Sequence, residues 1–212
     1  MPRLSEAQQA ARRERLLDAA EVCFARSGFH AATMAEIARE ARVSAGAAYV
    51  WFASKEDLIA GIAARDRARF AADFEAIAEA PDFGEALEAC ARFHVVERPA
   101  HKRRLMVELA AESTRNEAVA RSFRSVDRTV RESLLRALER QVAAGRIAPA
   151  MPPERLVPVL MVLGDGLFLR RAIDPAADPE ALLASLMEML RHVLGQAPGK
   201  AKSPRKGSTR RP

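Results

Sequence analysis

The side chains best suited to chemistry lie close together, in the stretch TMAEIAREARVSAGAAYVWFASKEDL at residues 33–58. Thr33, Ser44 and Tyr49 supply hydroxyls, Arg42 and Lys55 supply positive charge, and Trp51 supplies an indole face. Hydroxyls and cations so grouped suit phosphate oxygens and base edges. No nucleophile stands at the spacing of a base that would activate it, so no catalytic residue is assigned. A second set, His94, Glu97 and His101, offers metal-ligand chemistry. Pro99 breaks the helix between them and no cysteine joins them, so neither a metal nor another cofactor is expected.

The elements that must position the first set can be read from capping residues and apolar spacing. Thr33 and Glu36 have the spacing of a capping box. Met34, Ile37, Ala38 and Ala41 share one helical face. Arg42-Val43-Ser44 makes a turn, and Ser44 caps a second helix from Ala45 to Phe52. Ala38 is small where the two helices cross, and Val43 is apolar where the turn packs inward. This is the layout of a helix-turn-helix, whose second helix enters the major groove of DNA.

The same residues resemble the TetR family of bacterial one-component transcription regulators. The family pattern reads Thr, then Ile-Ala, then Val-Ser-x-Gly-x-x-Tyr-x-x-Phe-x-Ser-Lys-Glu-x-Leu. This chain supplies Thr33, Ile37, Ala38, Val43, Ser44, Gly46, Tyr49, Phe52, Ser54, Lys55, Glu56 and Leu58 in register. Residues 10–60 carry the motif; the remainder is similar in length, helicity and layout. Three positions depart from the pattern. Ala32 stands where a second Thr is common, Ala48 where Leu or Ile is usual, and Arg42 where the turn has Gly. A left-handed Arg42 would cost on the order of 1 kcal/mol.

The resemblance implies a DNA-binding set of Thr33, Met34, Arg42, Ser44, Ala45, Gly46, Ala47, Tyr49, Trp51 and Lys55. Ala45, Gly46 and Ala47 open the recognition helix and have almost no hydrogen-bonding side chains. Readout there would rest on close approach and on thymine methyls. Arg42 is the candidate for a guanine or phosphate contact, and Met34 for an adjacent base. Thr33, Tyr49 and Lys55 sit where the family contacts phosphates, Lys55 in the first turn of a helix. Trp51 would pack against the sugar-phosphate backbone.

Composition supports this reading without pointing to it. The chain has 212 residues, 49% hydrophobic and only 5% aromatic, which favours helices over sheets. No run of about 18 apolar residues suggests a membrane span. The N-terminus lacks the apolar core of a secretion signal, and Cys23 and Cys90 read as reduced thiols, which suits the cytoplasm. The net charge of +6 comes from the tail: residues 196–212 hold six basic residues and no acid. Removing those six from 34 basic residues leaves 28, against 28 acidic ones.

Caps and breakers divide the chain into about nine helices and an all-α fold. The resemblance implies that residues 1–58 form a three-helix DNA-binding domain and 59–195 a larger helical ligand-sensing and dimerisation domain; composition makes 196–212 a basic disordered tail. Phe70, Phe74, Phe93, Met106, Phe123 and Phe168, on different helices, are candidates to line an effector pocket. Their chemistry suits an apolar or aromatic molecule better than a sugar or phosphate. The resemblance puts a homodimer contact on the last two helices, where Leu160, Met161, Gly164, Phe168, Leu186, Met189, Leu190 and Val193 supply apolar surface. Two copies would make a four-helix bundle and set two recognition helices on a palindromic operator. The reading is a repressor on double-stranded DNA, released by a small molecule. An architectural, non-specific DNA binder and a helical metalloenzyme around His94 and His101 are the alternatives from other classes.

Overall fold

The computed structural model describes residues 5–174 and 176–195. The basic tail expected at 196–212 lies outside the described residues. Among the described residues nine α-helices follow in order: α1 Glu6–Ala31, α2 Met34–Glu40, α3 Ala45–Trp51, α4 Lys55–Glu79, α5 Phe83–Arg92, α6 Ala100–Ser113, α7 Glu117–Ala143, α8 Pro153–Ile173 and α9 Pro179–Val193. A π-helical turn, Phe93–Glu97, extends α5. There is no strand among the described residues.

The caps do what their sequence positions imply. Ser5 and Thr33 each accept from the third residue of their helix, whose Gln or Glu side chain returns the bond, and Ser44, Ser54, Asp82, Asn116 and Asp178 cap α3, α4, α5, α7 and α9. Each such bond satisfies an amide that the helix leaves without a partner. Helix α1 does not stop at Gly28 but runs three residues past it. Gly28 has φ of 78°, so the helix kinks there and resumes as a short segment.

Two cores follow. Leu16, Leu17, Phe24, Ile37, Leu58, Ile59 and Ile62 are buried in the N-terminal one, joined by Leu105 from α6 and Val119 from α7. Phe83, Leu138, Leu156, Leu183 and Met187 anchor the second. Helix α4 belongs to both. Near its start, a Cβ added to Gly61 would lie 2.8 Å from Leu17 Cδ2 and 3.0 Å from Phe52 Cε1, so α4 lies hard against α1 and the end of α3. At its far end Gln141 of α7, fully buried, donates to the carbonyls of Ile77, Ala78 and Ala80 at 3.1, 2.9 and 2.9 Å. These carbonyls terminate α4; Ile77 O also accepts from Ala80 N–H and Ala78 O from Arg146, so Gln141 completes the set by reaching Ala80 O as well. No helix among the described residues is long and apolar enough to cross a membrane.

Candidate nucleic-acid interface and effector cavity

Helices α2 and α3 meet through a turn whose geometry is paid for at one residue. Arg42 has φ of 56° and is the one non-glycine in the left-handed region among the described residues. The turn lets Val43 N–H bond back to Ala38 O at 2.9 Å and frees Ser44 to accept from Ala47 N–H at 3.1 Å. Ala48 is fully buried, so the opposite side of α3 faces outward. Ala45 and Gly46 lie exposed at its start and Ala47 is half-buried. A Cβ added to Gly46 would meet nothing within 4 Å, so no neighbour in this chain explains that glycine. It leaves room for a partner to approach the backbone.

Further along α3, Tyr49 is 54% exposed and Val50 80%. Trp51 is half-buried, and it forms a shallow groove with Ala47, Val50, Gln9 and Arg12. Thr33 is exposed while its hydroxyl accepts from Glu36 N–H at 3.2 Å. Arg42 projects from the turn. Two expected members of the set are placed otherwise. Met34 is only 8% exposed and packs in the N-terminal core, because the face holding Ile37 and Ala38 turns it inward. Lys55 points to α1: its Nζ donates to Phe29 O at 2.5 Å and His30 O at 3.1 Å and lies 4.5 Å from the Phe29 ring centre. It stabilises the C-terminal end of α1. Val50, Gln9 and Arg12 lie on the same surface outside the expected set. The signal for Val50 was present: with Ala48 inward, helical periodicity puts residue 50 outward.

The larger domain encloses a cavity of about 290 Å³. Phe70, Phe74, Met106, Phe123 and Phe168 all line it. Phe93 does not. It opens the π-helical turn, where its ring meets the Arg69 guanidinium at 4.4 Å and the His94 ring edge-on at 5.1 Å. His94 takes the inward position, 3% exposed, stacked on Phe70 at 4.7 Å. Its Nε2 lies 2.9 Å from Asp73 Oδ2 and its Nδ1 3.3 Å from Arg98 Nη1. Arg98 can only donate, so Nδ1 accepts and Nε2–H donates. Burial is the main reason its pKa is held below 6.5, although Asp73 pulls it up. The same burial pushes the Cys90 thiol up to about 12. Asp165 on α8 is raised by burial and by the Asp127 charge.

The residues expected at a dimer contact divide. Leu160, Met161, Gly164, Phe168, Leu186 and Leu190 line the cavity, and Val193 packs partly buried against the second core. Met189 is exposed. The outward apolar surface of α8 is instead Val159, Val162, Leu169 and Ile173, with Gly166 between them and Leu182 of α9 beside Met189. Positions 159, 162, 166, 169 and 173 repeat every three and four residues, the spacing of a helix-packing seam. Sequence periodicity could not choose this register because α8 is apolar on nearly every side.

The cavity and the α1–α4 unit share walls. Ile59, Ile62, Leu105 and Val119 belong to the N-terminal core and also line the cavity. Glu21 of α1, 1% exposed, reaches the same wall. Its Oε1 is 2.7 Å from Arg65 Nη2 of α4 and its Oε2 pairs with Lys102 Nζ of α6. The Arg65 contact is off the N–H axis, so it acts as an ion pair rather than a directed hydrogen bond. Arg65 also holds Asp18 at 2.7 Å and Glu14 at 3.0 Å. Burial works against the Arg65 charge, but these carboxylates more than offset it and its pKa is raised. Below, Glu108 of α6 accepts from Phe29 N–H at 2.7 Å beside the Gly28 kink, and Glu112 lies 3.0 Å from His30 Nε2. Glu21 falls among Leu17, Ala20 and Phe24 on the inward stripe of α1, and a carboxylate at such a position was the readable sign of this network. His94, Glu97 and His101 do not converge as a metal cluster among the described residues.

A two-helix reading head fixed to the start of a long helix, with a cavity behind it, defines a helix-turn-helix DNA-binding regulator with a second, ligand-sized compartment. The comparisons agree. Residues 16–62 match the family model described as bacterial regulatory proteins, tetR family, and residues 83–195 match that of the BetI-type transcriptional repressor, C-terminal. The transcriptional regulator UidR of Escherichia coli is 30% identical over 183 residues, covering 86% of this chain and 91% of that protein. The transcriptional repressor Rv1474c of Mycobacterium tuberculosis is 28% identical over 186 residues, 88% of this chain and 95% of that one. The solved structure of Salmonella enterica GusR superposes with a TM-score of 0.74 at 28% identity, covering 92% of this chain and all of that one. This chain belongs to the TetR family: it is a DNA-binding transcriptional regulator and not an enzyme.

Proposed function

We propose that the protein is a cytoplasmic repressor that binds a palindromic operator as a homodimer and is released by a compact apolar or aromatic effector. Residues 1–58 read DNA, and residues 59–195 hold the effector and dimerise. On this reading Arg42, Thr33 and Tyr49 meet phosphates or base edges, while Ala45, Gly46, Ala47 and Val50 approach the bases closely. Arg12 extends the contact from α1. The exposed seam on α8, with Leu182 and Met189 of α9, is the dimer face.

The observation that carries ligand response is the shared wall. Ile59, Ile62, Leu105 and Val119 serve the cavity and the N-terminal core at once. A molecule that fits the cavity better in one position of α4 therefore favours one position of the DNA-binding unit. It acts only through its different affinity for the two states. Glu21, Arg65 and Lys102 tie α1, α4 and α6 at the same point, so a polar group of the effector would compete inside that network.

Selection of binding sites from random duplex DNA, at physiological salt, tests the reading. The expected result is an enriched palindrome whose half-sites lie about one helical turn apart. Binding by a folded dimer without enrichment, falling steeply with salt, would favour an architectural role instead.

A further inference from the structure

Helix α5 and its π-helical turn carry two metal-type donors on the cavity wall. Cys90 and His94 are four residues apart and share a helix face. Asp73 reaches them from α4. One donor atom from each lies within 4.8 Å of the others. Tetrahedral zinc, with bonds of about 2.0–2.3 Å, sets its donors about 3.3–3.7 Å apart. Drawing Cys90 in and opening the His94–Asp73 separation of 2.9 Å by roughly 0.4 Å reaches that geometry. Asp73 is already oriented, with Arg69 Nε at 3.2 and 3.3 Å from its two oxygens, as outer partners of metal ligands are. Cys90 and His94 both line the cavity, so a fourth position would face open space. Helical irregularities of this π type recur at functional sites.

We propose that Asp73, Cys90 and His94 form a binding site for a divalent ion of the zinc type, opening into the cavity. A thiolate, an imidazole and a carboxylate together suit zinc or cobalt rather than calcium or magnesium. Binding forms bonds from the ion to Sγ, Nε2 and a carboxylate oxygen. The thiol proton leaves to solvent, and the Nε2 proton is replaced by one on Nδ1, so the imidazole stays neutral. Arg98 then loses its acceptor at Nδ1 and is left to Asp66, whose Oδ1 is 3.6 Å from its Nη2. The site stands on these donors and does not depend on the DNA-binding reading.

The test is titration of the metal-free, full-length protein with Co²⁺, followed by its thiolate-to-cobalt charge-transfer absorption, then displacement by Zn²⁺. The expected result is one equivalent per chain with a tetrahedral spectrum that zinc removes. Cys90→Ser should abolish the charge-transfer band, and His94→Gln and Asp73→Asn should weaken binding at least about tenfold. Circular dichroism checks that each variant is folded; Cys90→Ser exchanges a single atom and carries the test by itself if His94→Gln does not fold. No charge-transfer band in the wild type at saturating Co²⁺ would overturn the proposal. So would an unchanged band and affinity in Cys90→Ser, which would assign the ion to other donors.

Discussion

The two regions of this molecule are packed for different purposes. Around α1–α4 the interior is filled: Leu16, Leu17, Phe24, Ile37 and Leu58 are fully buried, and even a methyl group at Gly61 has no room. Around α5–α9 the interior leaves about 290 Å³ unfilled, bounded mostly by aliphatic and aromatic side chains with a few charged groups at the wall. A filled core holds one geometry, because close-packed side chains resist displacement. A hollow one forgoes dispersion contacts along its wall and so gains more from a ligand that restores them. The reading head needs the first property and an effector site needs the second.

The largest test of this contrast is truncation in each region. Leu17→Ala should destabilise the protein by about 2–5 kcal/mol, since its neighbours cannot collapse into the space. Phe123→Ala, which removes a larger side chain from the cavity wall, should cost less than the same change to Phe24. Denaturant unfolding measures all three, and equal losses for Phe123→Ala and Phe24→Ala would erase the contrast. Next is Glu21→Gln, which leaves Arg65 and Lys102 without their shared carboxylate at the junction. A loss on the order of 3 kcal/mol is expected, because Lys102 loses its carboxylate and Arg65 keeps only Asp18 and Glu14. The same variant should weaken the linkage between cavity ligands and DNA affinity.

Arg42→Gly separates stability from recognition within the reading head. Removing the left-handed strain should add about 0.5–1 kcal/mol to stability. DNA affinity should fall together with the lost cation. Higher melting temperature with unchanged affinity would show that Arg42 makes no DNA contact. The smallest effect expected is in pH dependence. His94 has its pKa lowered in the folded state below the 6.5 of a free histidine. A base so depressed gives its full stability above 6.5 and loses it as pH falls through the folded value. His94→Gln should therefore flatten unfolding stability between neutral and mildly acidic pH. An unchanged slope would place that titration elsewhere, with His101, also lowered by burial, the first alternative.

Legibility follows the same division. The helix boundaries, the turn at Arg42 and the caps Thr33, Ser44 and Ser54 are local features, and sequence carries local features directly. The fate of Lys55 is not local. Its ammonium is captured by carbonyls of residues 29 and 30, which come near only because α1 kinks at Gly28. Met34 was assigned to DNA from the motif, although its own helical face, shared with Ile37 and Ala38, pointed inward. In the larger domain, Phe70, Phe74, Met106, Phe123 and Phe168, apolar residues on different helices, line the cavity, whereas Phe93 opens the π-helical turn and lies against Arg69 instead. The exposed seam of α8 escapes because the helix lacks a polar face to mark the outside. The junction of Glu21, Arg65 and Lys102 joins three helices far apart in sequence, and only the isolated carboxylate in an apolar stripe announced it.

On the proposed function, cavity occupancy and DNA binding are two readouts of one packed unit. The most direct measurement is reciprocal linkage, with an operator duplex obtained by selection and a ligand identified by thermal stabilisation of the purified protein. Operator affinity is measured with and without saturating ligand, and ligand affinity with and without saturating operator. Each should fall when the other partner is bound, by one common factor of about 5–150. A ligand shown by Phe123→Ala to occupy the cavity, yet leaving operator affinity unchanged, would contradict the account.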